Sequence, residues 1–330
     1  MYLEKPQISS CLIIGGGISG LITATILHRN NIKVTVLDKG RGIGGRLATR
    51  RIKTGVFDYG AQYFTVKSPQ FQQWVDEWLE AGVVTQWCQK FSPEDSVKPR
   101  YRGIISNRSI AKHLAQDLNV QTSTRVTQLH YQNAQWLVET ATGDRFEGDF
   151  LVMTPPVPQS LALLDSSSIT IAPEIKTALQ KITYHQCIAV LALLAQPSKI
   201  SAPGGIVIDD EPLVWIGDNY QKGISPHYGV TLHATPQFSQ KYRESDDATI
   251  AQLLFDAAST WIDSSVIEYQ VHRWRYSLPA TFYPQPYCAL QELPLIMAGD
   301  AFVAPKIEGA VLSAMAAANY ILKTHNSFNS

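Results

Sequence analysis

Gly15-Gly16-Gly17-Ile18-Ser19-Gly20 fits the spacing GxGxxG, and an acid, Asp38, follows at the distance where a ribose diol would be met. Each glycine has its own task. Gly15 allows a tight turn, Gly17 lets the backbone approach a pyrophosphate, and Gly20 lets a helix pack closely on a strand. The chemistry is dinucleotide binding, provided that a strand precedes the glycines and a helix follows them. Cys11-Leu12-Ile13-Ile14 is a short apolar run that reads as a buried strand. Ile18, Leu21, Ile22, Thr25 and Ile26 recur at helical spacing, and Lys33–Leu37 is a second strand ending at Asp38. The helix N-terminus would face the phosphates.

Directly after Asp38 comes a second Gly-rich, basic loop, Lys39-Gly40-Arg41-Gly42-Ile43-Gly44-Gly45-Arg46. Its glycines expose backbone N–H groups, and Arg46 can grip a phosphate through two parallel hydrogen bonds. Phe57-Asp58-Tyr59-Gly60-Ala61-Gln62-Tyr63-Phe64 reads as a strand entering a Gly turn. Gly60-Ala61 removes bulk where a flat ring could lie, and Gln62 and Tyr63 offer an amide and an aromatic face. By spacing alone the run reads first as an ordinary aromatic strand. Trp274 and Tyr276 alternate along another strand, so both could line one wall or simply fill a sheet core. His233 and His272 stand isolated and read as hydrogen-bonded structural residues.

Composition narrows the class. The 330 residues suffice for two domains, and at 45% hydrophobic and 17% charged they can bury a large core. A formal net charge of zero argues against nucleic acid or an anionic membrane as partner. No apolar stretch reaches the roughly 20 residues of a membrane span. Residues 1–10 are polar, with Glu4, Lys5 and Pro6, so no signal peptide is expected. Cys11, Cys88, Cys187 and Cys288 are scattered without CxxC spacing, which suits a reducing cytoplasm and implies no metal site. There is no Ser-His-Asp set and no pair of carboxylates, an absence that suits hydride transfer better than hydrolysis.

The elements between these motifs follow from periodicity. Phe71, Trp74, Val75, Trp78 and Leu79 predict an amphipathic helix over 69–81, its tryptophans turned to a core. Residues 92–100 form a loop, near which Arg100 and Arg102 read as a solvated basic face, and 109–118 form a short helix. Val120–Tyr131, Gln135–Ala141 and Arg145–Gly148 predict an antiparallel meander, followed by a buried strand, Phe150–Thr154, that Pro155-Pro156 ends. Cys187–Leu194, Gly205–Ile208, Leu213–Gly217, Tyr228–Ala234 and Glu268–Trp274 predict a mostly antiparallel sheet. A helix capped at Asp246-Asp247 accompanies it. Leu295–Gly299 is a last buried strand, ending at Asp300, and a small-residue helix runs from Ile307 to Leu322.

Asp38-Lys39 followed by Gly44-Gly45-Arg46 resembles the FAD-binding half of flavoprotein oxidases related to amine oxidases. With Asp58–Thr65 and Arg273-Trp274 added, the chain looks like a member of the renalase family, in its bacterial branch, over nearly its whole length. Lys306-Ile307-Glu308 also resembles that branch, while Ala301-Phe302 and the Ala-rich tail fall where members of the family differ from one another. The resemblance implies an α/β fold: a Rossmann-type FAD-binding domain of the p-hydroxybenzoate hydroxylase and amine-oxidase type, with an inserted substrate domain of mostly antiparallel sheet plus helices. The FAD domain would comprise residues 1–68, 101–158 and 290–330, and the substrate domain 69–100 and 159–289. It implies FAD contacts from Gly15, Gly17, Ile18, Gly20, Asp38, Lys39, Gly45, Arg46, Ala61, Gln62, Val126, Gly299, Asp300 and Ile307. Substrate contacts would come from Gln62, Tyr63, Arg102, Trp274 and Tyr276, with Arg102 toward a phosphate. FAD would be bound non-covalently, since Cys288 lacks any motif for flavin attachment. The implied activity is oxidation of 2- and 6-dihydroNAD(P), restoring NAD(P)+, with O2 reduced to H2O2 as metabolite repair. An amine or carotenoid-type oxidase, or a flavin-binding protein without turnover, are the alternatives.

Overall fold

The computed structural model describes residues 8–326 and falls into two compact units. The N-terminal stretch read as carrying no signal peptide lies, through residue 7, outside the described residues. The first unit comprises the chain up to Gly45, Ala111–Thr183, and the chain from Pro279 onward; the second comprises Arg46–Ile110 and Tyr184–Leu278. Residues 46–68 and 101–110, placed by sequence with the dinucleotide-binding part, cluster in the second unit, and 159–183 cluster in the first.

A six-stranded sheet organises the first unit, in the order Cys288–Ala289, Leu295–Met297, Phe150–Met153, Ser10–Ile14, Lys33–Leu37, Asn119–Gln121. All neighbours are parallel except the first pair. Strand Ser10–Ile14 is central, with Leu12 opposite Thr35 on one side and Leu151 on the other. A strand covered on both faces needs an unbroken apolar run, and Cys11–Ile14 and Phe150–Met153 are buried throughout. Helices Ile18–Arg29 and Ile307–Asn326 share one core, where Ala24 and Leu27 join Ala317, Ala318 and Ile321. Alanines on the last helix permit that close approach.

The meander forms as Val126–Gln132, Gln135–Thr140 and Arg145–Gly148. Asn133 and Ala134, with φ of 51° and 58°, make the two-residue turn whose twist suits a hairpin. The predicted run Val120–Tyr131 is not one strand. Asn119–Gln121 is the edge of the parallel sheet, paired with Thr35–Leu37. The chain then breaks because the N–H groups of Ser123 and Thr124 are drawn to the carbonyls of Gly40 and Asp38, both at 2.8 Å.

In the second unit, a five-stranded sheet has the order Gly205–Asp210, Leu213–Asp218, Gly229–Ala234, Tyr184–Leu194, Val266–Pro279. The first four pair antiparallel. Helix Asp247–Ala257 covers one face, packing Ile250, Ala251 and Leu254 on Val190, Ile216 and Leu232. Its N-cap is Asp246, which accepts from the Thr249 N–H at 2.9 Å. The last strand runs further than the predicted 268–274. Two hairpins that the sequence reading lacks, Thr49–Ile52 with Gly55–Asp58 and Val84–Cys88 with Arg100–Gly103, belong here too. Helix Pro69–Glu80 buries Phe71, Trp74, Val75 and Trp78, so its tryptophans are core. Among the described residues no helix is long and apolar enough to cross a membrane.

Candidate functional site

In the first unit the glycine turn leaves strand Ser10–Ile14 at its carboxyl end, where open α/β sheets bind ligands. Gly15 has φ +107°, a conformation that side chains rarely adopt, and its N–H donates to Leu37 O at 2.8 Å. A Cβ on Gly20 would lie 2.0 Å from Gly15 O, so the helix could not stand where it does with any other residue. Gly17 is different. Its φ of −76° and ψ of 176° suit any residue, and a Cβ there would meet nothing within 4 Å. The protein itself therefore has no need of glycine at 17. The space in front of it, at a helix N-terminus, is what a pyrophosphate requires.

The second Gly-rich loop docks on the first. Gly44 N–H donates to Gly16 O at 2.8 Å, and a Cβ on Gly45 would sit 3.4 Å from Gly17 Cα. Asp38 joins the two loops: its carboxylate accepts from Gly16 N–H at 2.5 Å and Gly40 N–H at 2.6 Å. Each oxygen keeps lone-pair capacity for a ribose hydroxyl. The Lys39 ammonium donates to Gln159 Oε1 at 2.7 Å, and burial, then Arg125, holds its pKa below the ordinary lysine value. Val126 is half-buried at the start of the meander, beside a register shift.

Thr154, which sequence reasoning passed over, ties the two ends of this site. Its hydroxyl donates to Ile14 O at 3.0 Å and lies 2.5 Å from where a Gly15 Cβ would be. Its carbonyl is 4.0 Å from the corresponding point on Gly299. Gly299 has φ 149° and ψ −178°, a region almost reserved for glycine, and its N–H donates to Ser313 Oγ at 2.9 Å. Asp300 and Ile307 follow, both buried. The structure thus brings together Gly15, Gly17, Ile18, Gly20, Asp38, Lys39 and Gly45, with Gly299 reached through Thr154.

In the second unit the run Asp58–Tyr63 is the organising stretch. Asp58 and Lys222 are fully buried and form an ion pair at 2.7 Å. The same carboxylate accepts from Thr49 Oγ1 at 2.6 Å and from the Asn107 N–H at 3.2 Å. Burial pushes the Lys222 pKa down, and Asp58 opposes that shift. Asn107 Nδ2 donates to Ala61 O at 2.6 Å, and Ala61 N–H to Arg46 O at 2.8 Å. Arg46 Nη1 donates to Ser277 O at 2.9 Å. Neither Asp58, Asn107 nor Lys222 had been assigned a role. Asp58 lay inside a recognised run, but Lys222 carries no local pattern that would reveal its partner 164 positions away.

Gln62 and Trp274 meet at the Tyr59–Gly60 turn. Gln62 Nε2 donates to Asp58 O at 2.7 Å, while its Oε1 is enclosed and has no partner. Trp274 Nε1 donates to Tyr59 O at 2.9 Å and its ring stacks on Tyr59 at 5.1 Å. His233 Nε2 contacts the same carbonyl at 3.1 Å, and the His272 ring stands edge-on to both aromatics. Burial lowers both histidines to about 4. Tyr63 belongs to an aromatic box with Trp87, Phe91 and Trp215, with centroids 5.0–6.3 Å from its own. Tyr276 packs edge-on to Tyr184. Arg102 Nη1 donates to the carbonyls of Gly103 and Ile104 at 2.9 and 2.8 Å, and burial lowers its pKa. What this unit offers is flat aromatic surface and backbone-held polar groups; near neutral pH His233 and His272 are neutral and weakly basic.

The chain is similar to known proteins over most of its length. Residues 13–78 match a model described as NAD(P)-binding Rossmann-like domain, and residues 103–322 match one described as Flavin containing amine oxidoreductase. Renalase of Mus musculus is 25% identical over 335 residues, covering 93% of this chain and 97% of its own. Two solved structures show the fold at 12% identity. A putrescine oxidase variant gives a TM-score of 0.73 over 96% of this chain and 99% of its own. A CLA-producing fatty acid isomerase from P. acnes gives 0.69 over 97% and 99%.

Proposed function

Since the chain belongs to the flavin containing amine oxidoreductase family, we propose that it is a FAD-dependent oxidase of the 2- and 6-dihydro isomers of NAD(P). The reading follows the resemblance to renalase. One observation carries it beyond the family level: of the candidate substrate residues, Tyr63, Trp274 and Tyr276 offer aromatic surface, Gln62 an amide and Arg102 a guanidinium, and none is a carboxylate or imidazole that could take a proton. An already reduced dihydropyridine loses hydride without prior deprotonation, whereas a protonated amine must first shed a proton. His233 and His272, lowered to about 4, are weak bases at cellular pH, and the Lys222 ammonium faces Asp58.

FAD held by these residues would supply a hydride acceptor that O2 can reoxidise, giving H2O2. In the first unit Gly15, Gly17, Ile18 and Gly20 would receive the pyrophosphate, Asp38 and Lys39 the adenosine ribose side, and Val126 the adenine. Gly299, Asp300 and Ile307 would meet the ribityl and ring end. Arg46 would add a phosphate contact, and Ala61 and Gln62 would face the ring. Support for non-covalent attachment comes from Cys288, a buried thiol whose pKa burial raises above its ordinary value. Tyr63, Trp274 and Tyr276 would bound the nicotinamide, Gln62 Oε1 would accept from its carboxamide, and Arg102 would face a phosphate. The FAD-binding domain would span 1–68, 101–158 and 290–330, and the substrate domain the remainder. Four free cysteines suit a reducing, cytoplasmic setting.

The test is product balance. Flavin-saturated protein, given 2- or 6-dihydroNAD(P) in air, should yield NAD(P)+ and H2O2 in equal amounts. Consumption of neither isomer would overturn the assignment.

A further inference from the structure

Strand Val266–Pro279 has two faces. His272, Trp274 and Tyr276 lie on one, and their tasks are described above. Arg273 and Arg275 lie on the other, and there the structure holds a cavity of about 200 Å³ whose polar lining is Gln186, Ser239, Arg243, Glu244, Arg273 and Arg275, completed by Cys187, Ile188 and the strand at Trp274. We propose that this cavity binds a phosphate group, separately from any phosphate of the flavin.

The three guanidiniums differ in what they have left to offer. Arg273 is saturated. Its Nε and Nη2 donate to the carbonyls of Arg243 and Ser245 at 2.9 and 2.7 Å, and its Nη1 pairs with Asp247 at 2.6 Å. Arg273 is therefore the brace that fixes segment 243–247 against the strand. Arg243, set in place by that brace, meets only Glu244, through Nε at 3.2 Å. Glu244 is 89% exposed, and a pair of that kind holds weakly and yields easily to a competing anion. Arg275 has no carboxylate partner among the described residues. Its guanidinium lies 5.5 Å from the Tyr276 ring centre. Gln186 brings an amide to the same wall.

Three guanidiniums face two carboxylates, Glu244 and Asp247, so the cavity has a net positive lining. Two of the three keep both terminal nitrogens available, and a planar fork of N–H donors matches the oxygens of a phosphate. Size sets the ligand class. The cavity would hold about seven waters at liquid density, and it is smaller than the roughly 300 Å³ at which pockets for drug-sized ligands begin. A tetrahedral oxyanion or the phosphate end of a monoester fits; a whole dinucleotide does not.

Calorimetric titration of the flavin-saturated full chain tests this, with inorganic phosphate and with adenosine 5′-monophosphate as separate arms. Millimolar or tighter binding of either is expected. The double variant Arg243→Gln/Arg275→Gln should weaken it roughly tenfold or more. Flavin content should not change. Arg145→Gln, at an exposed pair with Glu139 in the other unit, should leave phosphate binding as it is. Tighter binding of the monophosphate assigns an ester as ligand, and equal binding assigns the free ion. Absence of binding in the wild type, or equal affinity in the wild type and the double variant, overturns the proposal. Should Arg243→Gln/Arg275→Gln fail to fold, Glu244→Gln supplies the opposite sign, since removing the competing carboxylate should tighten phosphate binding.

Discussion

Gly17→Ala separates a glycine kept for the chain from a glycine kept for a ligand. The backbone at 17 suits alanine, and the new Cβ would touch no protein atom within 4 Å. Replacing glycine at a compatible site stabilises by about 0.4–1 kcal/mol through the unfolded state. Alanine is a poorer N-cap than glycine, which costs a comparable amount. The ligand-free protein should therefore unfold within about 1 kcal/mol of the wild type. Flavin binding should suffer, because the methyl group stands where the pyrophosphate would approach. Loss of one charge-assisted hydrogen bond, about 1.5–3 kcal/mol, weakens FAD roughly 10- to 150-fold. Gly20→Ala is the contrast: its Cβ would lie 2.0 Å from Gly15 O, so the ligand-free protein itself should lose stability. Urea unfolding of the apoprotein, paired with FAD titration by flavin fluorescence quenching, reads both quantities. An FAD dissociation constant unchanged in Gly17→Ala would refute the reasoning.

Other expectations follow from the second unit and its charges. Lys222→Met should destabilise by about 3–5 kcal/mol, because it strands a buried carboxylate. Asp58→Asn added to it should recover part of that loss, and additive urea midpoints would deny the coupling. Arg46→Ala should weaken FAD by about 2–3 kcal/mol, recoverable with excess FAD; an unchanged dissociation constant would make Arg46 a structural brace. His233 and His272 have folded pKa values near 4 against an ordinary 6.5. The unfolded chain therefore binds protons first as pH falls. Stability should be full above 6.5 and decline as pH drops toward 4, and urea midpoints across that window should flatten in His233→Asn/His272→Asn. Trp274→Ala should raise the substrate KM more than the FAD dissociation constant, by about 1–3 kcal/mol of lost stacking.

The dinucleotide cradle was legible in the sequence because its parts are local. Strand, glycines, helix and acid lie within Cys11–Asp38, and Gly15 and Gly20 follow from the backbone or a neighbour in the turn, while Gly17 leaves room for a ligand. The second unit was legible only in pieces. Its buried centre joins Thr49, Asp58, Asn107 and Lys222, residues far apart in the chain and ordinary in their own surroundings. A lysine beside a glycine reads as a surface turn until its carboxylate is found. Periodicity also merged Asn119–Gln121 with the meander, because both are β runs and only the sheet pairing tells them apart. Asp38 shows the limit from the other side. Its place after the second strand was readable, but its role as a clasp between Gly16 and Gly40 was not.

The most direct measurement is anaerobic stopped-flow reduction of the bound flavin by 2-dihydroNAD(P), 6-dihydroNAD(P), 1,4-NADH and a panel of primary and secondary amines. The dihydro isomers should bleach the flavin rapidly, at a rate nearly constant between about pH 6 and 9, where the site histidines are neutral. Normal NADH should be slow. Rapid bleaching by an amine, with none by either isomer, would contradict the account.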